Sequence, residues 1–182
     1  MPRTKGDYKR QEKPINQGNT VNTRSFEDMI KILFICHGNI CRSPMAEFIM
    51  KDLVAKADLE QKIEIASAAT STEEIGNDVH YGTKGILKKY NIPFNRRAAR
   101  QITKADYMHY DYLVGMDTAN IRNMNRIFGG DPDGKINKML AFAGINRDVA
   151  DPWYTGNFEE TYQDVITGCQ AMLQQFTIKN EK

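Results

Sequence analysis

Five residues, His37-Gly38-Asn39-Ile40-Cys41, separate Cys36 from Arg42, and Ser43-Pro44 follow directly. These types at this spacing suit chemistry on a phosphoryl group. A loop of that length between a strand and a helix can turn its backbone N–H groups inward. Together with the helix N-terminus they would point at one spot, which wants an anion with several oxygens. Backbone donors, the helix dipole and a nearby guanidinium all favour the thiolate of Cys36, which is the nucleophilic form. The planar fork of Arg42 can hold two oxygens of a phosphoryl group at once, which a lysine cannot do. Ser43 can donate its hydroxyl to the sulfur, stabilising it as a resting ion and as a leaving group. Gly38 and Asn39 both accept the positive φ of a tight anion-binding loop. The reaction this assembles is in-line attack of sulfur on phosphorus, giving a phosphocysteine. A bare pair of Cys and Arg at this spacing also fits a buried core cysteine beside a surface arginine.

A second group of residues, Asp151-Pro152-Trp153-Tyr154, lies far along the chain. A phosphate ester with a phenolic leaving group needs a proton as the bond breaks, and a carboxylic acid on a loop can supply it. Pro152 restricts that loop, while Trp153 and Tyr154 offer flat faces to an aromatic substrate. Alone, Asp-Pro also reads as an ordinary turn.

The elements that must position these groups follow from periodicity. Ile32 to Cys36 form an apolar run of strand length, and Ser43-Pro44 suits the first turn of a helix. Met45, Ala46, Phe48, Ile49, Leu53 and Val54 recur at helical spacing. Ile63 to Ser67 make a second strand, so a helix lies between two strands, the pattern of a parallel sheet. Ser67 is expected at the carboxyl end of that strand. Thr70 to Asp78 read as a polar, solvated loop carrying Glu73-Glu74, and His80 to Tyr90 as a second helix stopped by Asn91-Ile92-Pro93. Asp111 to Met116 give a third strand, after which Asp117 suits an N-cap for a helix through Ile121, Met124 and Ile127. Lys138 to Phe142 are expected as a fourth strand. Asp151 then falls beyond a strand's carboxyl end, where open α/β sheets hold their ligands. Thr161 to Phe176 close the chain as a helix with Tyr162, Val165, Ile166, Cys169, Met172, Leu173 and Phe176 on one face.

With 182 residues, 41% hydrophobic and 26% charged, the chain suits one well-buried soluble domain. A net charge of +2 is too small to argue for nucleic acid or a membrane surface as partner. Three cysteines, two of them in the proposed loop, do not make a disulfide framework, so the chain reads as cytoplasmic and reduced. His37, His80 and His109 show no ligand spacing, which predicts neither metal nor cofactor. Residues 1–28 contain little to bury and are expected to be a disordered extension, with the folded domain spanning 29–178.

The string Cys36-His37-Gly38-Asn39-Ile40-Cys41-Arg42-Ser43-Pro44 closely resembles the signature of the low-molecular-weight protein tyrosine phosphatases. Asp151-Pro152 resembles their general-acid motif. The resemblance runs from about Met29 to about Ile178. It implies a flavodoxin-like, three-layer α/β/α domain with a four-stranded parallel sheet in the order 2-1-3-4. It implies metal-free hydrolysis of a phosphotyrosine protein or small aryl phosphate, by a monomer or weak homodimer. Cys36, Arg42 and Asp151 would be catalytic. His37, Gly38, Asn39, Ile40, Cys41, Ser43, Trp153 and Tyr154 would bind substrate, with Ser67 supporting the loop through Asn39. Cys36 and Cys41 would form a redox pair. The chain departs from many relatives in two places: Glu73-Glu74 stand near a substrate-flanking aromatic, and Arg97 stands where several have a loop-supporting histidine. The alternatives are a protein-arginine phosphatase, which resembles the chain in both motifs, and an arsenate reductase, which needs further cysteines on a later segment. A phosphate-binding module without catalysis is the remaining one.

Overall fold

A computed structural model describes residues 29–179; the expectation for 1–28 lies outside them. Among the described residues the α-helices and strands follow in the order β1 (Ile30–Cys36), α1 (Arg42–Lys56), β2 (Ile63–Ala69), α2 (Tyr81–Lys89), α3 (Lys104–His109), β3 (Tyr112–Gly115), α4 (Thr118–Phe128), β4 (Ile136–Lys138), α5 (Pro152–Thr155) and α6 (Phe158–Lys179). The sheet is parallel throughout, in the order β2-β1-β3-β4. Parallel neighbours need crossovers, and helices supply them on both faces. Because successive side chains alternate across a strand, β1 feeds two separate cores. Ile32, Phe34 and Cys36 join α1 and α6, with Met45, Ile49, Met50, Val165, Cys169, Met172 and Phe176. Leu33 and Ile35 face the other way, toward Tyr107 and Tyr110 around α3 and Met124 of α4. This is the expected three-layer arrangement.

Most boundaries fall within one or two residues of the sequence reading, and three differences have a clear physical cause. The fourth strand stops at Lys138, and Met139–Ala143 turn into a 3-10 helix. Met139 and Leu140 are consecutive and both buried, which a strand with one covered face cannot achieve. Met139 seats against Gly168 of α6, where a Cβ would lie 2.4 Å from its sulfur. Strand β2 runs two residues further than expected, through the small buried Ala68 and Ala69, so Ser67 is third from its end. Helix α6 starts at Phe158 rather than Thr161, because the Asn157 side chain accepts the Glu160 N–H at 3.0 Å and so caps it earlier.

Candidate active site

The loop between β1 and α1 curls around the sulfur of Cys36. The Asn39 N–H donates to Sγ at 3.3 Å, and the Ser43 hydroxyl lies 3.1 Å from it. Asn39 takes φ 60°, the positive value expected of it, whereas Gly38 does not. Gly38 instead supplies space, since a Cβ there would lie 3.1 Å from Glu74. Asn39 is fully buried, and its amide is saturated. Nδ2 donates to Ser43 Oγ at 2.8 Å and to Ser67 Oγ at 2.9 Å. Oδ1 accepts from Arg97 at 2.5 Å and from the Arg100 N–H at 3.2 Å. From outside, the His80 N–H donates to the Ile40 carbonyl at 2.8 Å and the Thr83 hydroxyl to that of Cys41 at 3.2 Å.

Arg97 thus sits within the loop's support. Its guanidinium also donates to the Asn39 carbonyl at 3.0 Å, and it lies 3.7 Å from the carboxylate of buried Glu47. Ser67 donates to the other side of this network, to Glu47 at 2.5 Å. Burial pulls the Arg97 pKa down, against the charges of Glu47 and Cys36, yet an arginine starts high enough to stay charged.

Arg42, 3% exposed, opens α1 and faces the sulfur's side of the loop. Its two terminal nitrogens donate to Asp117 and to Asp151, each at 2.8 Å. Burial works to lower its pKa, but Cys36, Asp151 and Asp117 outweigh it and raise it. Asp117 performs the capping task expected of it, accepting the Asn120 N–H at 2.7 Å, and holds the arginine with its other oxygen. The periodic reading of the sequence found the cap but not this second bond, because nothing local signals a partner 75 residues away. Burial first, then the neighbouring Cys36 charge, pushes the Cys41 thiol up to about 12. Asp151 stands at the N-cap of α5, accepting the Trp153 N–H at 3.1 Å, with Pro152 in the first turn. The Asp-Pro segment is therefore a short helix rather than an open loop.

One pocket of about 460 Å³ collects Cys36, His37, Gly38, Ile40, Cys41, Arg42, Asp151, Trp153 and Tyr154, with Asp117, Asn120 and Asn123 on its far wall. Asn39, Ser43 and Ser67 stand behind it, all buried. Trp153 and Tyr154 are exposed at its mouth, 62% and 84%. Glu73 and Glu74 line the rim, with Glu73 paired to His37 at 2.9 Å, so they belong to the pocket and not only to a solvated tip. Ile40 is only 9% exposed and packs on Ala99 and Phe158 as well as lining the pocket. Among the described residues, no cluster of histidine, cysteine and carboxylate side chains could hold a metal, and no helix is long and apolar enough to cross a membrane.

A four-stranded parallel sheet with a thiol and an arginine sharing one tightly curled loop at the end of β1 is an arrangement suited to holding a phosphate group. The family described as low molecular weight phosphotyrosine protein phosphatase matches residues 31–182, and the chain belongs to it. It is 44% identical over 156 residues to the low molecular weight protein-tyrosine-phosphatase YfkJ of Bacillus subtilis, covering 85% of this chain and 99% of that one. The crystal structure of YfkJ superposes with a TM-score of 0.79 over 85% of this chain and 97% of its own. PtpA of Staphylococcus aureus MRSA252, of the same description, is 38% identical over 80% of this chain and 92% of its own. A Drosophila arginine phosphatase, DARP, is 27% identical with a TM-score of 0.74, over 81% of this chain and 98% of its own.

Proposed function

We propose that the chain hydrolyses phosphotyrosine in proteins through a phosphocysteine intermediate. The observation that carries the reading is the convergence of Cys36 and Asp151 on Arg42. The sulfur faces the loop's donors, and the carboxylate touches the guanidinium at 2.8 Å. An arriving phosphoryl group takes Asp151's place on Arg42, while the loop N–H groups hold its remaining oxygens. Released from the guanidinium beside a dianionic ester, Asp151 takes up a proton from solvent; Cys36 Sγ then attacks phosphorus in line, the bond from phosphorus to the phenolic oxygen breaks, and Asp151 gives that oxygen the proton. The Asp151 carboxylate then takes a proton from water as its oxygen attacks phosphorus. The sulfur–phosphorus bond breaks, Cys36 returns as thiolate stabilised by Ser43, and phosphate leaves. Trp153 and Tyr154 flank the phenol ring.

The test is a pair of substitutions. Cys36→Ser abolishes turnover while phosphate or vanadate still binds; residual activity above about a hundredth of wild type would mean another nucleophile operates. Asp151→Asn slows esters of poor leaving groups far more than activated ones, and equal losses would remove Asp151 from the acid role. The acidic rim of Glu73 and Glu74 favours a second reading, hydrolysis of phosphoarginine on the same machinery, because it could attract a guanidinium. The apolar Ile40 wall opposes it. Three free thiols, Cys36, Cys41 and Cys169, support a reducing, cytoplasmic setting, which cell fractionation would check. A monomer or weak homodimer is the matching state, and sedimentation as a stable larger assembly would overturn it.

A further inference from the structure

The segment leading into Asp151 is held residue by residue, each time by a different element. Asp148 accepts the Lys138 ammonium at 2.7 Å, and the N–H and hydroxyl of Thr118 at 3.2 Å each. Val149 donates its N–H to the Met116 carbonyl at 2.9 Å, and its own carbonyl lies 3.3 Å from Arg42. Ala150 has both of its backbone groups bound to α6. Its N–H donates to the Asp164 carboxylate at 3.2 Å, and its carbonyl accepts the Thr161 hydroxyl at 2.8 Å. Thr161 and Asp164 are three residues apart on α6, which places them side by side.

Neither residue suits the apolar face it occupies. Thr161 is fully buried and Asp164 is 5% exposed, among Tyr162, Val165 and Cys169. A buried carboxylate is costly unless it is paired and hydrogen-bonded. Arg147 meets that need with a two-pronged contact at 2.8 and 2.6 Å, and also donates to the Asp148 carbonyl at 3.1 Å. The buried pair therefore serves chiefly the peptide beside Asp151; toward its own helix the Thr161 hydroxyl has only a 3.4 Å contact, with the Asn157 carbonyl.

We propose that Thr161 and Asp164, backed by Arg147, are positioning residues for the general acid. They fix the peptide just before Asp151, so that its carboxyl reaches the leaving-group oxygen. The proposal rests on the assignment of Asp151 as that acid. Losing the clamp displaces the acid and leaves Cys36 and Arg42 in place, so the damage falls on substrates that need a proton.

The test is kcat/KM on phenyl phosphate, a poor leaving group, and on 2,4-dinitrophenyl phosphate, an activated one, with inorganic phosphate inhibition and thermal melting in parallel. Thr161→Val and Asp164→Asn are expected to lose about tenfold or more on phenyl phosphate, and about threefold or less on the activated ester, the scale set by small misplacements of a reacting group. Phosphate inhibition stays at the wild-type constant, and Thr161→Ser, which keeps the hydroxyl, stays near wild type. Parallel losses on both esters, or none on phenyl phosphate, overturn the clamp. Should the buried substitutions fail to fold, Arg147→Met at a 55% exposed side chain decides: selective loss on phenyl phosphate supports the clamp and wild-type selectivity refutes it. Asp151→Asn in the same panel separates the two claims. Equal losses there defeat the acid assignment and the clamp with it; a selective loss there without one in the clamp variants defeats the clamp alone.

Discussion

Replacing Arg97 with methionine tests whether the loop around Cys36 depends on a buried cation behind it. The substitution keeps an apolar stem and removes the bonds to the carbonyl and Oδ1 of Asn39. It also leaves Glu47, 7% exposed, with only Lys51 and Ser67 as partners. A hydrogen bond to a charged group contributes about 1.5–3 kcal/mol, so the net loss should be about 2–3 kcal/mol. For a domain of this size that lowers Tm by about 5–10 °C. Asn39 holds a left-handed conformation that costs about 1–2 kcal/mol, and these bonds are part of what enforces it. If about 1.4 kcal/mol of that support is lost in the transition state, kcat/KM falls about tenfold. Adding Glu47→Gln should recover part of the stability, because it neutralises the carboxylate left behind. Melting within 2 °C of wild type, kcat/KM within about twofold, or strict additivity in the double variant would refute the reasoning.

Ile40→Thr should shift the ratio of kcat/KM values for phosphotyrosine and phosphoarginine peptides about tenfold toward phosphoarginine, because an apolar wall leaves a guanidinium unpaired; a wild-type preference for phosphoarginine would overturn the phosphotyrosine assignment. Mild peroxide should link Cys36 to Cys41, with activity returning on thiol reduction. Since burial and the Cys36 charge hold the Cys41 thiol up to about 12, the bridge should form faster as pH rises, and peptide mapping that finds mainly sulfinic acid at Cys36 would make Cys41 a packing residue only. Asp78 is held down to about 2 by the Lys84 ammonium and by the N–H groups of Arg97 and Val79. Its folded form thus binds fewer protons than its unfolded form with a pKa of 3.8, so its contribution to stability is complete above about pH 4 and is lost as pH falls toward 2. Asp78→Asn should flatten denaturation curves across that window, and an unchanged acid slope would exclude it.

Local signals in the sequence were sufficient for the core of this site. The apolar run into Cys36, the Ser-Pro at the head of α1 and the Asp117 cap each depend on near neighbours, and the structure places them as read. What the sequence hid depends on distant partners. Lys138 to Phe142 has strand-like composition, but the glycine notch of α6 takes in Met139, its neighbour Leu140 is buried as well, and the strand ends early. Arg97 is one of three arginines in a short polar run, and only the folded chain brings it against Asn39, 58 residues away. Asp164 carries no local mark distinguishing it from an exposed helical acid; its task depends on Arg147 and Ala150, which belong to another segment.

Strand β1 has covered faces and hydrogen-bonded neighbours on both edges, and Ile32 to Ile35 have no measurable exposure. Such a strand opens only when the whole domain does, and its amides belong with the last to exchange against heavy water. Cys36 is its final residue, so the proposed nucleophile is fastened to the part of the molecule least given to local opening. The proposed acid, by contrast, caps a four-residue helix whose last three residues are exposed. Breathing of that helix would leave the anion cradle formed but the proton donor absent. Loss of leaving-group protonation should therefore precede loss of anion binding as the protein is warmed.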